Sequence, residues 1–277
     1  MIGGAHRIGR DGALRLYFEQ RGAATVLAAS RFTLPLQVMA PVALDDAACV
    51  VSLLNPTGGV VGGDRLTIDV EVGAGAHACL TTPSATRIYR TAGEPAVQRV
   101  RLVLAPGAIA EWVPDHTIPS AGAALRQSLE VEAGAGATLV AIDAFAAGRV
   151  ARGEAWRFAR LDSALTVRDA RGLVLHDRFV LEGGEGWRGL GLSEGRPYFA
   201  TVVVIAEAGL DDFVADLPGA LAGIAGATAA PARLPRRGAL IRCLAADAPA
   251  LSDALAAIWA LARRTLWGLP PLALRKF

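Results

Sequence analysis

Thiols are scarce in this chain. Cys49, Cys79 and Cys243 are the only cysteines among 277 residues, too few and too scattered for a disulfide framework. Histidine is almost as rare, with four residues, so a cage of imidazole and thiolate ligands finds little material. An excess of either charge is missing as well: 28 basic against 26 acidic residues leave a net charge of +2. That excludes the strong field by which proteins gather nucleic acid or anionic membranes. Charged residues make up 19%, below the usual quarter, which suits a protein that lives in a complex. No apolar run approaches a membrane span; the strongest are Phe199 to Ala206 and Ala254 to Ala262. The opening residues lack the charged-then-apolar order of a secretion signal. A soluble cytoplasmic protein with no nucleic-acid or membrane partner is therefore expected.

What the chain does have is a heavily constrained stretch, Asn55-Pro-Thr-Gly-Gly-Val-Val-Gly-Gly-Asp-Arg65. Pro56 fixes its own φ and pushes Asn55 out of the helical region. Gly58, Gly59, Gly62 and Gly63 allow positive φ and close backbone approach. Val60 and Val61 favour a strand, and strand-like runs lie on both sides, Val50 to Leu54 before and Leu66 to Val70 after. Two readings meet here. A phosphate cradle would need a Lys-Ser or Lys-Thr ending and a following helix; both are absent, so a tight β crossing is favoured. Asp64 and Arg65 stand where the passage becomes regular again.

Further along, a pattern recurs: strand, small-residue turn, strand. Its copies are centred on Gly75, Gly107 and Gly136, 32 and 29 residues apart. A period of roughly 20–50 residues marks stacked units that share one core. No helical pattern separates them, so the chain is expected to be mainly β, a β-helix-like stack of hairpin rungs. A hairpin is expected from Leu14–Glu19 and Ala24–Ala28, and an edge strand over Leu34–Val38. Residues 1–10 read as a tail. Ser163–Val167 and Leu173–Phe179 flank a turn closed by Gly172. Residues 182–197 form a loop, and Phe199–Ile205 a central strand. Two helices close the chain, at 211–217 before Pro218-Gly219 and at 249–267. Asp247 and Pro249 open the second and Gly268 ends it. Arg263 and Arg264 fall near its C-terminus, where cations are favoured. One domain over 1–277 accommodates all of this.

Candidate chemistry is thin. His77 and Cys79 share a strand face but lack a third ligand, which favours a half-buried surface pair. His116 and His176 are each most simply hydrogen-bonded structural residues. Asp64, Asp143 and Asp177 sit in apolar or strand-like sequence. Facing inward, each would need a partner or water. Hard oxygen ligands along a wet interior suit a cation in passage; ion pairs Asp64–Arg65 and Asp177–Arg178 are the plainer reading. Thr82 and Ser84, in the hydroxyl-rich run Thr81–Arg90, could line a polar channel or satisfy a turn.

The glycine stretch followed by Gly75-Ala76 and Thr81-Thr-Pro-Ser-Ala-Thr-Arg-Ile-Tyr-Arg90 closely resembles the urease accessory protein family UreD, also called UreH. The likeness continues through Pro106-Gly-Ala108, Glu111-Trp112-Val-Pro114, Ile118-Pro119, Gly148-Arg149, Arg152-Gly153-Glu154, Trp156, Arg178, Leu181, Leu261-Ala-Arg263 and Leu272 to Arg275. It implies a β-helix-like fold with two helices and no catalysis. It implies a scaffold that binds apo-urease on one side. On the other it binds UreF, which carries the GTPase UreG. Nickel would pass through an internal polar tunnel without being held as a cofactor. The positions that the resemblance carries into the lining are Asp64, Ser84, Asp143 and Asp177, with Thr82 beside Ser84. Thr57, Pro83, Arg87, His77 and Cys79 depart from the family pattern, so the His77–Cys79 pair is not implied as a nickel site. Scattered oxygen ligands let an ion move on, where a histidine and cysteine cage would trap it. The alternatives are a scaffold without a nickel path, or an enzyme using the glycine stretch for an anionic substrate. The 249–267 helix is expected to dock UreF or to cover the end of the stack.

Overall fold

The computed structural model describes residues 10–43 and 47–274. All but Arg10 of the expected tail lies outside these residues, as does Arg275 of the family-like C-terminal run. β1 (Asp11–Arg21) and β2 (Ala24–Thr33) form the expected antiparallel hairpin, longer than its alternating segments. β3 (Gln37–Val38) and β4 (Val42–Ala43) are short pieces paired with β5 (Cys49–Leu54). The edge strand expected over Leu34–Val38 shrinks to its last two residues, because Pro35 has no donor to give a ladder.

The repeat becomes three rungs. β6 (Arg65–Val72) turns into β7 (His77–Thr81). After β8 (Thr86–Ile88), β9 (Ala96–Leu104) turns into β10 (Ile109–Trp112). After β11 (Thr117–Pro119), β12 (Ala124–Ala133) turns into β13 (Thr138–Ala146). Gly75, Gly107 and Gly136 have φ of 67°, 69° and 66°. Each is the third residue of a four-residue turn closed by an amide of the fourth: Ala76 to Gly73, Ala108 to Ala105, Ala137 to Gly134. Positive φ at that position is the signature of a type II turn. The turns stack, with the Gly75 amide donating to Pro106 at 3.3 Å and the Gly107 amide to Ala135 at 2.9 Å.

These rungs are not hairpins. The turn takes the chain round a corner, so the two strands of a rung enter different sheets. β6, β9 and β12 run parallel in one sheet, and β7, β10 and β13 run parallel in the other. The ladder bonds therefore run between rungs, as in a solenoid.

β14 (Arg160–Asp169) adds to the first sheet and β15 (Gly172–Glu182) returns from it through Gly172 at φ 105°. The residues after β15 form the expected loop, around one short 3-10 turn at Glu185–Arg188. β16 (Tyr198–Ile205) is central in the second sheet, as expected, between β13 and β18 (Gly238–Ala245), with β17 (Ala227–Arg233) at its edge. The first sheet runs β15-β14-β12-β9-β6-β1-β2; the main path of the second runs β17-β18-β16-β13-β10-β7-β5-β3.

Leu14, Phe18, Leu66, Leu102, Leu139 and Leu161 pack between the sheets. Helices α1 (Leu210–Leu221) and α2 (Ala248–Trp267) cover the outer face of the second sheet, where Phe213, Leu251, Ile258 and Leu261 meet Val140, Val202, Val204 and Ile241. α2 thus lies over a face of the stack and not its end. It starts one residue before the expected 249 and ends at the expected Trp267. The Asp247 carboxylate accepts the Ala250 amide at 2.8 Å, and Gly268 closes the helix at φ 64°. Asp247→Ala should cost about 1 kcal/mol, visible as a lower urea midpoint with an unchanged slope. α1 runs past the expected stop, with Pro218 inside it. Only its last turn lies beyond Pro218, so the proline forgoes one backbone bond while Phe213 and Leu217 stay buried.

Candidate functional site

The interior is not apolar throughout. Alternation turns Gln127 of β12 and Ser163 of β14 inward, and their register sets them side by side. From the opposite sheet, Asp143 stands beside Thr201 and Thr201 beside Arg242. Gln127 Nε2 donates to Asp143 Oδ1 at 2.7 Å and Ser163 Oγ to Asp143 Oδ2 at 2.7 Å. Gln127 also reaches Ser163 Oγ at 3.1 Å. Arg242 crosses to Asp177 on β15 at 2.5 Å. A polar stripe therefore bridges the sheets. On one side it is bounded by Phe145, Phe179 and Phe199, whose ring centroids lie 5.3–5.9 Å apart.

Asp143 lies deep between the sheets but is only partly buried, since it lines a cavity. Burial pushes its carboxyl up to about 6, against the pull of the Ser163 and Gln127 donors; nearby Asp177 raises it further and Arg242 lowers it. Its outlet is a cavity of about 130 Å³, room for roughly four waters at ~30 Å³ each. Asp143 and Gln127 close the inner end, and the mouth is formed by Asn55, Gly58, Gly59, Thr82, Ser84 and Arg87. Gly58, Ser84 and Arg87 are exposed there.

The glycine passage shapes that mouth. It carries the chain from β5 in the second sheet to β6 in the first, a crossing as expected. It is not strand-like at both valines: Val60 alone makes an isolated bridge, to Ile88, and Val61 is exposed. Asn55 holds the loop, its amide nitrogen donating to Gly59 O at 3.2 Å while its oxygen accepts the Thr57 amide and hydroxyl at 3.1 and 2.6 Å. A Cβ on Gly59 would stand 2.6 Å from the Tyr89 ring and 2.7 Å from Arg87 O. The passage enters a strand and not a helix N-terminus, so it offers no phosphate cradle. Thr82 donates to Ser84 O at 3.0 Å and accepts the Asp115 amide at 2.9 Å, which fixes the other lip.

The three carboxylates do not come together. Asp143 and Asp177 share the stripe; Asp64 lies outside the cavity lining at the end of the glycine passage. Its Oδ2 accepts the Val61 amide at 2.9 Å, and Arg10 stands 3.8 Å from its Oδ1. Burial raises its carboxyl, opposed by that amide and Arg10. Arg65 beside it is exposed, its amide bonded to Arg10 O at 2.8 Å. The sequence-neighbour ion pairs do not form as read. Asp64 pairs with Arg10 and Asp177 with Arg242, while Arg178 grips Asp162 through two 3.0 Å bonds. Adjacent strand residues face opposite ways.

His77 and Cys79 are not a half-buried surface pair. Both are buried, because α2 covers their face. His77 Nε2 lies 2.5 Å from Glu111 Oε1, and the Trp259 indole and the Arg263 guanidinium donate to the same carboxylate. Arg263 is therefore inside the protein, where its Nε also donates to Pro270 O at 2.8 Å. Glu111 and Arg263 are the residues that sequence reasoning missed as a pair. The available signal was an arginine four residues after Trp259 on the apolar side of the helix. His116 stands 3.1 Å from Asp115 and His176 2.9 Å from Thr166, in ordinary structural hydrogen bonds.

Gly191-Leu-Ser-Glu-Gly195 has the spelling of a hydrolase nucleophile elbow, a motif that the sequence is expected to lack. It sits in a loop, not at a strand-to-helix turn, and the buried Ser193 hydroxyl donates to Trp187 O at 2.6 Å. Among the described residues no three His, Cys, Asp or Glu side chains gather as a metal cage, and no helix is long and apolar enough to cross a membrane. The chemistry on offer is a pocket walled largely by apolar side chains such as Leu53, Leu66, Ile68, Val100 and Trp112, with polar groups at its mouth and a carboxylate at its inner end.

The profile of one family, described as UreD urease accessory protein, matches residues 10–276. A protein of Alkalilimnicola ehrlichii named urease accessory protein UreD is 37% identical over 265 residues, 95% of this chain and 89% of that one. One of the same name from Deinococcus radiodurans is 35% identical over 269 residues, 96% and 95% of the two chains. A third, from Delftia acidovorans, is 41% identical over 181 residues, 65% and 58%.

Proposed function

The chain belongs to the UreD urease accessory protein family, and from that premise we propose that it is the urease-maturation scaffold through which nickel reaches the enzyme. In this reading it binds apo-urease on one side and UreF, with UreG behind it, on the other. Nickel is cargo and enters the pocket past its polar mouth to reach Asp143. The observation that carries the nickel path is the Gln127–Ser163–Asp143 triad at the inner end of a cavity that opens between two otherwise apolar sheet faces.

The chemistry suits transit. The mouth offers hydroxyl and carbonyl oxygens around Thr82 and Ser84, and the inner end offers one carboxylate. Few hard oxygen ligands bind nickel weakly enough for it to leave again. The buried thiols take no part; burial pushes the Cys243 thiol up to about 12, far from thiolate.

The test is urease activation from purified apo-urease, UreF, UreG and nickel. With Asp64, Asp143 and Asp177 all replaced by alanine, complex formation in a pull-down should persist while activation falls on the order of tenfold, the scale on which losing a metal-orienting group acts. Full activation by that variant would remove the nickel path and leave a scaffold that only aligns its partners.

A further inference from the structure

The stripe does not stay open beyond Asp143, because Arg242 lies across it. Its guanidinium donates to Thr201 Oγ1 at 2.5 Å and to Asp177 Oδ1 at 2.5 Å, so one side chain ties the second sheet to the first. Thr201 is buried on β16, between Asp143 on β13 and Arg242 on β18. The Arg242 side chain is 49% exposed and that of Asp177 16%. From outside inward the order is solvent, the Arg242–Asp177 pair, Thr201, Asp143 and then the cavity.

That order has two electrostatic consequences. A cation moving along the stripe meets a fixed positive charge in a partly dry setting, where repulsion is stronger than in water. Asp177, the next carboxylate outward, already has its charge matched by the same guanidinium. Yet the closure is light. The arginine half of the pair is open to water, which screens it, and arginine's long stem can carry its head into solvent without moving the backbone. Arg242 is thus strong enough to repel a cation and loosely enough held to leave.

We propose that the Arg242–Asp177 pair is a charge gate at the inner end of the Asp143 pocket. Paired, it excludes cations from the stripe. Released, it opens the way past Thr201 and presents Asp177 as the next oxygen ligand. The identity of the cargo rests on the nickel-transit reading; the gate itself rests on the geometry alone.

The test places a thiol behind the gate, as Thr201→Cys in the full chain, where the native cysteines are all buried. Labelling by aminoethyl methanethiosulfonate, a small cation, is compared with labelling by its neutral methyl analogue. With Arg242 present, cationic labelling should be slow. Arg242→Ser should speed it about tenfold and raise the cationic-to-neutral ratio, which loosened packing alone would not do. Asp177→Asn, which keeps the guanidinium but removes its anchor, should speed both reagents, and it decides the matter if Arg242→Ser fails to fold. Unchanged rates in the variant that folds, or fast cationic labelling with the Arg242–Asp177 pair intact, would overturn the gate. Urease activation by Asp143→Asn is scored separately. Normal activation there would remove the nickel path and leave the labelling result standing.

Discussion

Arg263→Ala should cost about 3–5 kcal/mol of stability, the scale for removing one partner of a buried ion pair. The arginine and Glu111 have no exposed side-chain surface. Their contact joins α2 to β10 across 152 residues of sequence. Without the guanidinium the Glu111 carboxylate would keep the Trp259 indole and His77, but its charge would be left in a dry interior. Arg263 also holds the segment after α2 through Pro270 O, so the loss would loosen the end of the helix as well. Urea denaturation measures the cost, and a double-mutant cycle with Glu111→Gln isolates the coupling. Arg263→Met combined with Glu111→Gln should recover much of the loss, since replacing both buried charges by groups of similar shape is often close to neutral. A cost below about 1 kcal/mol for Arg263→Ala, the level of an exposed pair, would show that the cluster does not fasten the helix.

Asp143→Asn is expected to stabilise the protein while weakening urease activation. Burial raises the Asp143 carboxyl from 3.8 to about 6. The folded state therefore holds this proton more tightly than the unfolded one. The favourable contribution is complete below the unfolded value, is lost as pH rises toward about 6, and above that the buried charge is a penalty. Each unit corresponds to about 1.4 kcal/mol, so asparagine should gain on the order of 1–3 kcal/mol near pH 7.5 and nothing near pH 3.5. Asparagine can still accept from Gln127 and donate to Ser163, so the comparison isolates the charge. Thermal melts at the two pH values read the stability, and the activation assay reads the loss. An asparagine variant no more stable at pH 7.5 would mean that the carboxylate is well hydrated in its cavity. Stability gained where activity is lost is the usual mark of a functional group held at a cost.

These residues also show what the sequence could and could not reveal. The ends of α2 were legible because a cap is local: Asp247, Pro249 and Gly268 act within one turn of chain. The rungs were legible because Gly75, Gly107 and Gly136 mark their corners. Which strand each rung pairs with was not, since ladder partners lie some thirty residues away and a corner and a hairpin turn are spelled alike. Burial of His77 and Cys79 was hidden because β7 has the inner sheet on one face and α2 on the other, which erases alternation. Asp143 stood out as a carboxylate in an apolar strand, but Gln127 and Ser163 become its partners only through the parallel register of β12 and β14. Asp64 carried the strongest family motif and proves to be the clasp of a loop. Gly58 and Gly59 of the same stretch, and not the Asp64 carboxylate, reach the cavity mouth.

The corner geometry has one more consequence. A parallel stack ends in open strands whose free amides and carbonyls could template another copy, the route by which stacked β-proteins grow into fibrils. Here the first sheet ends in reversed strands, β2 at one side and β15 at the other. The second ends in β17, which carries Pro231 and so lacks one donor, and on its other side in the two-residue, antiparallel β3. None of these ends continues the parallel pattern of the rungs. The chain that builds a short parallel solenoid therefore ends that parallel register with reversed strands, so another copy could not extend the rungs in their own direction.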